Sequence, residues 1–344
     1  MIPVQDGNAP SPMMAFFQIA CGHWISQALN VAAKLGVADL LKEGAKSIDE
    51  LAEFTDTHPP SLYRLLRSLT SVGVFSEVEP RTFALTPIAE YLRSDRSDSL
   101  RYLPLTNCDE WQWRIFGELY HSVKDGQSGV KHVYQVEHFW EYLSQNRESE
   151  EFFSKAMTGV ASHFHTPLFK SYDFSKVNMI VDVAGGQGTM ISSILRTNPH
   201  LRGILFDTPQ VVAQAIDVLE KQGVANRCET IGGNFFQSVP SGGDVYTLSY
   251  VLCDWDDESC ITILRNISNA MVPNGKVLAI DSVIPIANEF HWWGKWVDLV
   301  EIVFGSGKIR TEAEYNHLFQ SAGFKWVRTL SPDNPVSAME LVRA

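Results

Sequence analysis

Met179-Ile-Val-Asp-Val-Ala-Gly-Gly-Gln-Gly-Thr-Met190 is the stretch on which the reading of this chain turns. Met179 to Val183 is a short apolar run holding one acid, the pattern of a buried strand. A glycine-rich turn follows, and helical spacing takes over from Thr189 to Arg196. Glycines let the backbone turn tightly and approach a ligand closely, and the helix start behind them offers free N–H groups. A second strand, Gly203-Ile-Leu-Phe-Asp207, ends in an acid twenty-five residues after Asp182. An acid at the tip of a second strand is placed to accept hydrogen bonds from a ribose diol. Together these parts describe a nucleoside site at the carboxyl edge of a parallel sheet.

The dinucleotide pattern Gly-x-Gly-x-x-Gly/Ala fails here, because Gly186-Gln-Gly188 is followed at the last position by the bulky Ile191. The other reading is an acid followed by alternating small residues, Asp182-x-Ala184-x-Gly186-x-Gly188. That pattern resembles motif I of the class I S-adenosylmethionine (SAM) methyltransferases, with Ala184 where glycine is usual.

The chain has 344 residues, room for two or three domains and a large core. A hydrophobic content of 45% with 20% charged residues suits a globular protein. The formal net charge of -12 argues against a nucleic-acid or anionic-membrane partner. Cys21, Cys108, Cys228, Cys253 and Cys260 are scattered without metal-ligand spacing, so reduced thiols, no metal and a cytoplasmic location are expected. The first residues lack the pattern of a signal peptide, and no run reaches the roughly 18 to 20 apolar residues of a membrane span.

Apolar residues from Pro12 to Leu35 recur at helical spacing on more than one face, which suggests burial against a partner subunit. Ser47-Ile-Asp-Glu50 is a capping box, and after Thr57-His-Pro-Pro60 a second helix runs from Ser61 to Val72. Gly73 to Val78 and Thr82 to Thr86 read as two strands of a wing, with Pro87 opening another helix. Such a fold can bind DNA, but Arg64 and Arg67 on an acidic chain make a poor phosphate footprint; dimerisation or lid formation is the alternative. Residues 100–170 are helical and aromatic, and some of these rings could line an apolar pocket. His163 and His165 lie there two apart, on different helix faces, a spacing unsuited to chelation. From 176 onward strand and helix alternate as a doubly wound sheet requires. Strands are expected at 179–183, 203–207, near 228–231, 244–252, 276–281, 324–330 and 337–342, with a helix from Thr311 to Ala322.

Val251-Leu-Cys-Asp-Trp-Asp-Asp-Glu258 resembles the Leu-His-Asp-Trp-Asp-Asp-Glu signature of the plant-type caffeate/hydroxyindole O-methyltransferase family. Phe206-Asp-Thr-Pro-Gln-Val-Val, Gly233-Asn-Phe-Phe and Arg310-Thr-Glu-Ala-Glu-Tyr fall in the family's order and spacing, so the resemblance covers nearly the whole chain. It implies an α/β architecture: a Rossmann-like class I methyltransferase domain at 173–344, a helical linker lining the acceptor pocket at 101–172, and an N-terminal helical, winged-helix dimerisation domain at 1–100. It also implies a homodimer that moves a methyl group from SAM to a small, often aromatic acceptor. By position, Asp182, Gly185, Gly186 and Gly188 would surround the methionine part of SAM, Asp207 would hold the ribose, and Asn234 and Phe235 would flank the adenine. Ser249 stands where the family often has lysine near the cofactor. Phe153, Met157 and Trp255 match positions lining the acceptor or methyl pocket. Trp292 and Trp293, with Trp296, lie where the family places an acceptor-lining helix and suggest a flat acceptor.

The sequence departs from the family where the chemistry is done. Cys253 replaces the histidine base, Asp281 replaces one flanking glutamate, and Ile309 replaces the other. Asn234 replaces an aspartate, though its amide oxygen can still accept a hydrogen bond. A thiol of pKa about 8.5 is mostly protonated and a poor base, and a small apolar filler is the plainer reading of Cys253. Four functions remain open. The enzyme could methylate a nitrogen, carbon or acidic oxygen through proximity alone. It could be an ordinary O-methyltransferase with another base, from Asp254, His163, His165 or His291. It could use SAM without transferring methyl, as a pericyclase or decarboxylase would. Least favoured is a winged-helix regulator.

Overall fold

The computed structural model describes residues 11–170, 172–285, 292–330 and 335–344. Contacts divide the chain into two units, Met1–Trp113 with Glu148–Val160, and Arg114–Arg147 with Ala161–Ala344.

In the first unit the long N-terminal helix expected from the periodicity is two helices, α1 (Pro12–Ala20) and α2 (Gly22–Lys34), broken at Cys21. Ser11 caps α1 and a proline opens it. No residue of α1 is buried, and Met13, Phe16, Phe17 and Ile19 lie exposed, Ile19 at 78%. Exposed apolar side chains gathered on one helix mark an interaction surface. The capping box forms as read: Ser47 Oγ accepts from the Glu50 N–H, and Glu50 Oε2 accepts from the Ser47 N–H at 2.8 Å. It starts α3 (Ile48–Thr55), and α4 (Pro59–Thr70) follows a short turn. Strands β1 (Phe75–Glu79) and β2 (Thr82–Leu85) pair antiparallel, with the two-residue strand Lys46–Ser47 added to β2. Ile48, Leu51, Leu62, Leu66, Leu69, Phe75 and Phe83 form the core of this small body. Pro87 precedes only a single 3-10 turn, Ala89–Leu92, and not the helix expected there. Helix α5 (Arg147–Lys170) contributes residues to both units.

The second unit is built on a seven-stranded sheet. Its strands are β3 (Met179–Val183), β4 (Arg202–Asp207), β5 (Cys228–Gly232), β6 (Val245–Ser249), β7 (Lys276–Asp281), β8 (Phe324–Leu330) and β9 (Ser337–Arg343). They lie in the order β8-β9-β7-β6-β3-β4-β5; β9 pairs antiparallel with both of its neighbours, and the other six strands run in one direction. Helices α6 (Thr189–Thr197), α7 (Pro209–Lys221), α8 (Asp257–Ala270), α9 (Trp292–Phe304) and α10 (Glu312–Ser321) complete the alternation. Side chains alternate along each strand, and both faces are covered. Val181, Val183 and Tyr246 pack on α8 and α10; Ile180, Leu205 and Val245 pack on α6 and α7. The chain steps from β3 outward to β5 and then returns to β6 on the other side of β3. Ligands of open parallel sheets bind outside that switch point, which here lies at the carboxyl ends of β3 and β6. Among the described residues no helix is long and apolar enough to cross a membrane.

Candidate active site

The turn after β3 is held open by its own geometry. Ala184 adopts a left-handed backbone (φ 56), the conformation that makes glycine usual here. Its N–H donates to the Phe206 carbonyl at 2.7 Å. Gly185 allows the close approach: a Cβ there would meet Leu205 Cδ1 at 2.4 Å and Asp182 Oδ2 at 2.5 Å. Gly186 N–H donates to Asp207 Oδ2 at 2.9 Å, and Thr208 N–H donates to Asp207 Oδ1 at 2.7 Å. The acid at the tip of β4 is thereby fixed against the glycine turn, and a carboxylate has lone pairs left for a diol. Gly188 is the N-cap of α6.

Asp182 lies fully buried beneath this turn. Its Oδ1 accepts from Thr247 Oγ1 at 2.7 Å, while Oδ2 has no hydrogen-bond partner. Burial pushes its carboxyl up to about 7, opposed by the Thr247 bond. A cradle that a Cβ would fill, an orphaned buried oxygen and a half-buried acid at the neighbouring strand tip suit a nucleoside bearing a positive sulfonium. Asn234 and Phe235 follow β5; the Asn234 side-chain oxygen accepts from the Phe236 N–H, and Phe235 meets Trp255 edge-on at 6.0 Å. Ser249 closes β6.

The strand expected to run from 244 to 252 is shorter. It ends at Ser249 because Tyr250 takes a left-handed backbone (φ 53), and Leu252–Asp254 forms a 3-10 turn. Cys253 and Asp254 therefore sit in a bend beyond the strand. Asp281 at the end of β7 fixes that bend: Oδ2 accepts from the Cys253 N–H at 3.0 Å and Oδ1 from the Ser282 N–H at 2.9 Å. Burial raises the Asp281 carboxyl to about 6. Arg310, fully buried, donates to the carbonyls of Leu252 and Trp255 and to Asp257, tying the same bend to the segment before α10. Ile309 is buried and its N–H donates to Asp298.

Cys253 is only 2% exposed, and burial together with Asp281, Asp254 and Glu301 pushes its thiol well above the ordinary range. That side chain is neither a base nor a thiolate at neutral pH. Asp254 is half-buried; Trp140 Nε1 donates to its Oδ2 at 3.2 Å, and the Cys253 thiol donates to its Oδ1 at 3.6 Å. Glu301, from α9, is buried against the same bend, and burial with the neighbouring carboxylates Asp254 and Asp281 raises both it and Asp254. Glu301 thus sets an acid beside the position where the family carries its histidine.

His138 and Glu301 are the residues that sequence reasoning missed, while Trp140 was one of the aromatics of 100–170 expected to be core or pocket lining. His138 lies flat on Trp255, centroids 4.7 Å apart, and its Nε2 donates to the Asp254 carbonyl at 2.8 Å. Its Nδ1 accepts from the Trp140 N–H, which fixes the neutral tautomer. Burial lowers it to about 4, so this imidazole orients and does not take protons. Glu301 alone carried a signal, as a lone acid among Leu299, Val300, Ile302 and Val303.

Other expected residues fall in different places. Trp293 packs on Phe164 with centroids 5.4 Å apart. His163 is half-buried on the same part of α5. Phe153 and Met157 belong to the Glu148–Val160 stretch of the first unit. His291 and the side chains of His165 and Trp292 lie outside the described residues.

Residues 116–325 match the O-methyltransferase domain family, and residues 17–95 match the O-methyltransferase dimerisation domain. A phenazine O-methyltransferase of Lysobacter antibioticus is 40% identical over 94% of this chain and 94% of its own. The crystal structure of LaPhzM superposes with a TM-score of 0.92 at 39% identity, covering 98% of this chain and 100% of that one. The neocarzinostatin-biosynthesis O-methyltransferase NcsB1, solved with SAM and 2-hydroxy-5-methyl naphthoic acid, superposes with a TM-score of 0.76 at 31% identity, covering 93% of this chain and 96% of its own. The dimerisation-domain match, which begins within α1 at residue 17, supports homodimer formation. With the glycine cradle, the Asp207 strand tip and both domains in place, the chain belongs to the SAM-dependent O-methyltransferase family and is a methyltransferase.

Proposed function

We propose that this enzyme methylates an aromatic, polycyclic hydroxyl that is acidic enough to ionise without help from the protein. One observation carries the reading: the base position holds a buried, protonated thiol at Cys253, and the imidazole that bonds this bend, His138, is held neutral. A sulfonium methyl is already electrophilic, so a site that aligns an ionised oxygen with it needs no general base. In this reading Asp182, Gly185, Gly186, Gly188 and Asp207 hold SAM, with Asn234, Phe235 and Ser249 around it. Trp255, Trp293, His163 and Trp292 of the second unit serve the acceptor, and Phe153 and Met157 carry that role only by the family resemblance. Cys253 and Asp281 shape the reaction centre, and Asp254 is the group nearest to solvent there. The phenazine and hydroxynaphthoate relatives support a flat acceptor bearing such a hydroxyl.

The test is transfer of labelled methyl from SAM to a hydroxyphenazine and to 2-hydroxy-5-methyl naphthoic acid across pH. The expected rate rises with the fraction of ionised acceptor and levels off above the acceptor's own pKa. A profile that ignores the acceptor's pKa, or products without transferred methyl, would overturn the proposal.

A further inference from the structure

We propose that Cys253, Asp254 and Glu301 form a binding site for one borderline divalent cation of the zinc or cobalt(II) kind, beside the place where the family carries its histidine base. One ligating atom from each residue lies within 4.8 Å of the other two. Glu301 is 4% exposed, its Oε2 has no hydrogen-bond partner, and it lies against Cys253 and Asp254. A buried, unsatisfied carboxylate oxygen costs free energy unless something meets it. Among the described residues no Lys, Arg or His forms an ion pair with Asp254 or Glu301, and Arg310 is committed to Asp257 and two carbonyls.

The spacing of sulfur and the Asp254 oxygen fits an interposed ion. Bonds of about 2.3 Å to sulfur and about 2.0 to 2.2 Å to oxygen at a tetrahedral angle set the two ligands roughly 3.5 Å apart. Cys253 Sγ and Asp254 Oδ1 are 3.6 Å apart. Coordination deprotonates the thiol, and one thiolate with two carboxylates favours a borderline cation over magnesium or calcium. The supporting shell is also present. Trp140 Nε1 holds the other oxygen of Asp254, and Asp281 holds the Cys253 backbone. Gly307 makes room for the packing, since a Cβ there would lie 2.7 Å from Glu301 Oε2 and 2.2 Å from the Cys253 carbonyl.

The three protein ligands leave a fourth position for water. The methyl transfer proposed above describes the cation-free centre with its protonated thiol, and the test of the cation site needs neither SAM nor an acceptor. The full-length protein, reduced and freed of metal by a chelator, is titrated with cobalt(II) alone. A thiolate-to-cobalt charge-transfer band that saturates at one equivalent and is displaced by zinc is expected. Cys253→Ser should abolish the band, and Glu301→Gln should weaken cobalt affinity at least tenfold. Cys260→Ser, which removes the neighbouring buried thiol, should leave it intact; circular dichroism checks that each variant folds. Absence of the band in the folded wild type, or its persistence in Cys253→Ser, overturns the site. If Cys253→Ser does not fold, an unchanged cobalt affinity in Glu301→Gln overturns it equally.

Discussion

The His138 imidazole lies on the indole of Trp255 with ring planes 15° apart, while its Nε2 donates to the carbonyl of Asp254. The residue that follows the base position in the family motif is thus pinned by a histidine that arrives from 116 residues earlier in the chain.

This pairing makes the stability of the enzyme depend on acid. His138 is held at about 4, below the 6.5 of a free imidazole, so between those values the unfolded chain binds the extra proton. Its neutral form stabilises the fold above pH 6.5, and that contribution is lost as pH falls toward 4, by up to about 3 kcal/mol. His138→Phe keeps an aromatic stack but removes the titration. Melting curves from pH 7 to 4 should show the wild type losing stability relative to the variant, and parallel curves would refute the assignment.

Asp182 titrates in the opposite sense. With a folded value of about 7 against about 3.9 unfolded, the native state binds the extra proton between the two. Stability from this group is full below about pH 4 and falls as pH rises toward 7. In cofactor-free protein, Asp182→Asn should remove a decline of a few kcal/mol across that window. Denaturant titrations at pH 5 and 8 measure it.

Asp207 receives the Gly186 and Thr208 N–H groups and is the proposed ribose ligand. Asp207→Ala removes both anchors and the diol acceptor together. SAM affinity by calorimetry should fall by about 2 to 3 kcal/mol, or roughly 30-fold to 150-fold. Unchanged affinity would move the ribose elsewhere.

Gly305 and Gly307 are fixed by crowding. A Cβ at Gly305 would lie 2.3 Å from His138 Cδ2, and one at Gly307 would meet the Cys253 carbonyl, which is backbone and cannot swing away. Gly307→Ala should cost about 1 to 3 kcal/mol in urea unfolding, more than Gly126→Ala in an open turn costs through strain alone.

Phe16 and Ile19 on α1 are exposed in the single chain and belong to the proposed dimer face. Phe16→Asp with Ile19→Asp should weaken self-association at least tenfold in sedimentation velocity, with the helical signal of the fold retained. An unaltered dimer would place the interface on other surfaces.

Much of this protein was legible from local pattern. The apolar runs placed most strands within one or two residues, and Ser47 with Glu50 marked a helix start, because caps and strand faces depend on neighbours in sequence. The glycine turn and the Asp207 tip were equally local, since each is one backbone conformation at one strand end. The end of β6 was misplaced because Val251, Leu252 and Cys253 continue the apolar run, and only the left-handed Tyr250 turns the chain aside.

What the tertiary structure alone decided is the chemistry around Cys253. The substitutions of histidine and glutamate showed what had been lost, but not that Glu301 from α9 and His138 and Trp140 from before α5 would meet there. Those side chains are brought together by the packing of distant elements around the sheet edge. Burial then sets their charge, since a carboxyl or thiol removed from water holds its proton more tightly. Sequence determined the strands, the cradle and the cofactor because backbone geometry there is local; the protonation and partners of the reaction centre are properties of an enclosure that only the folded chain creates.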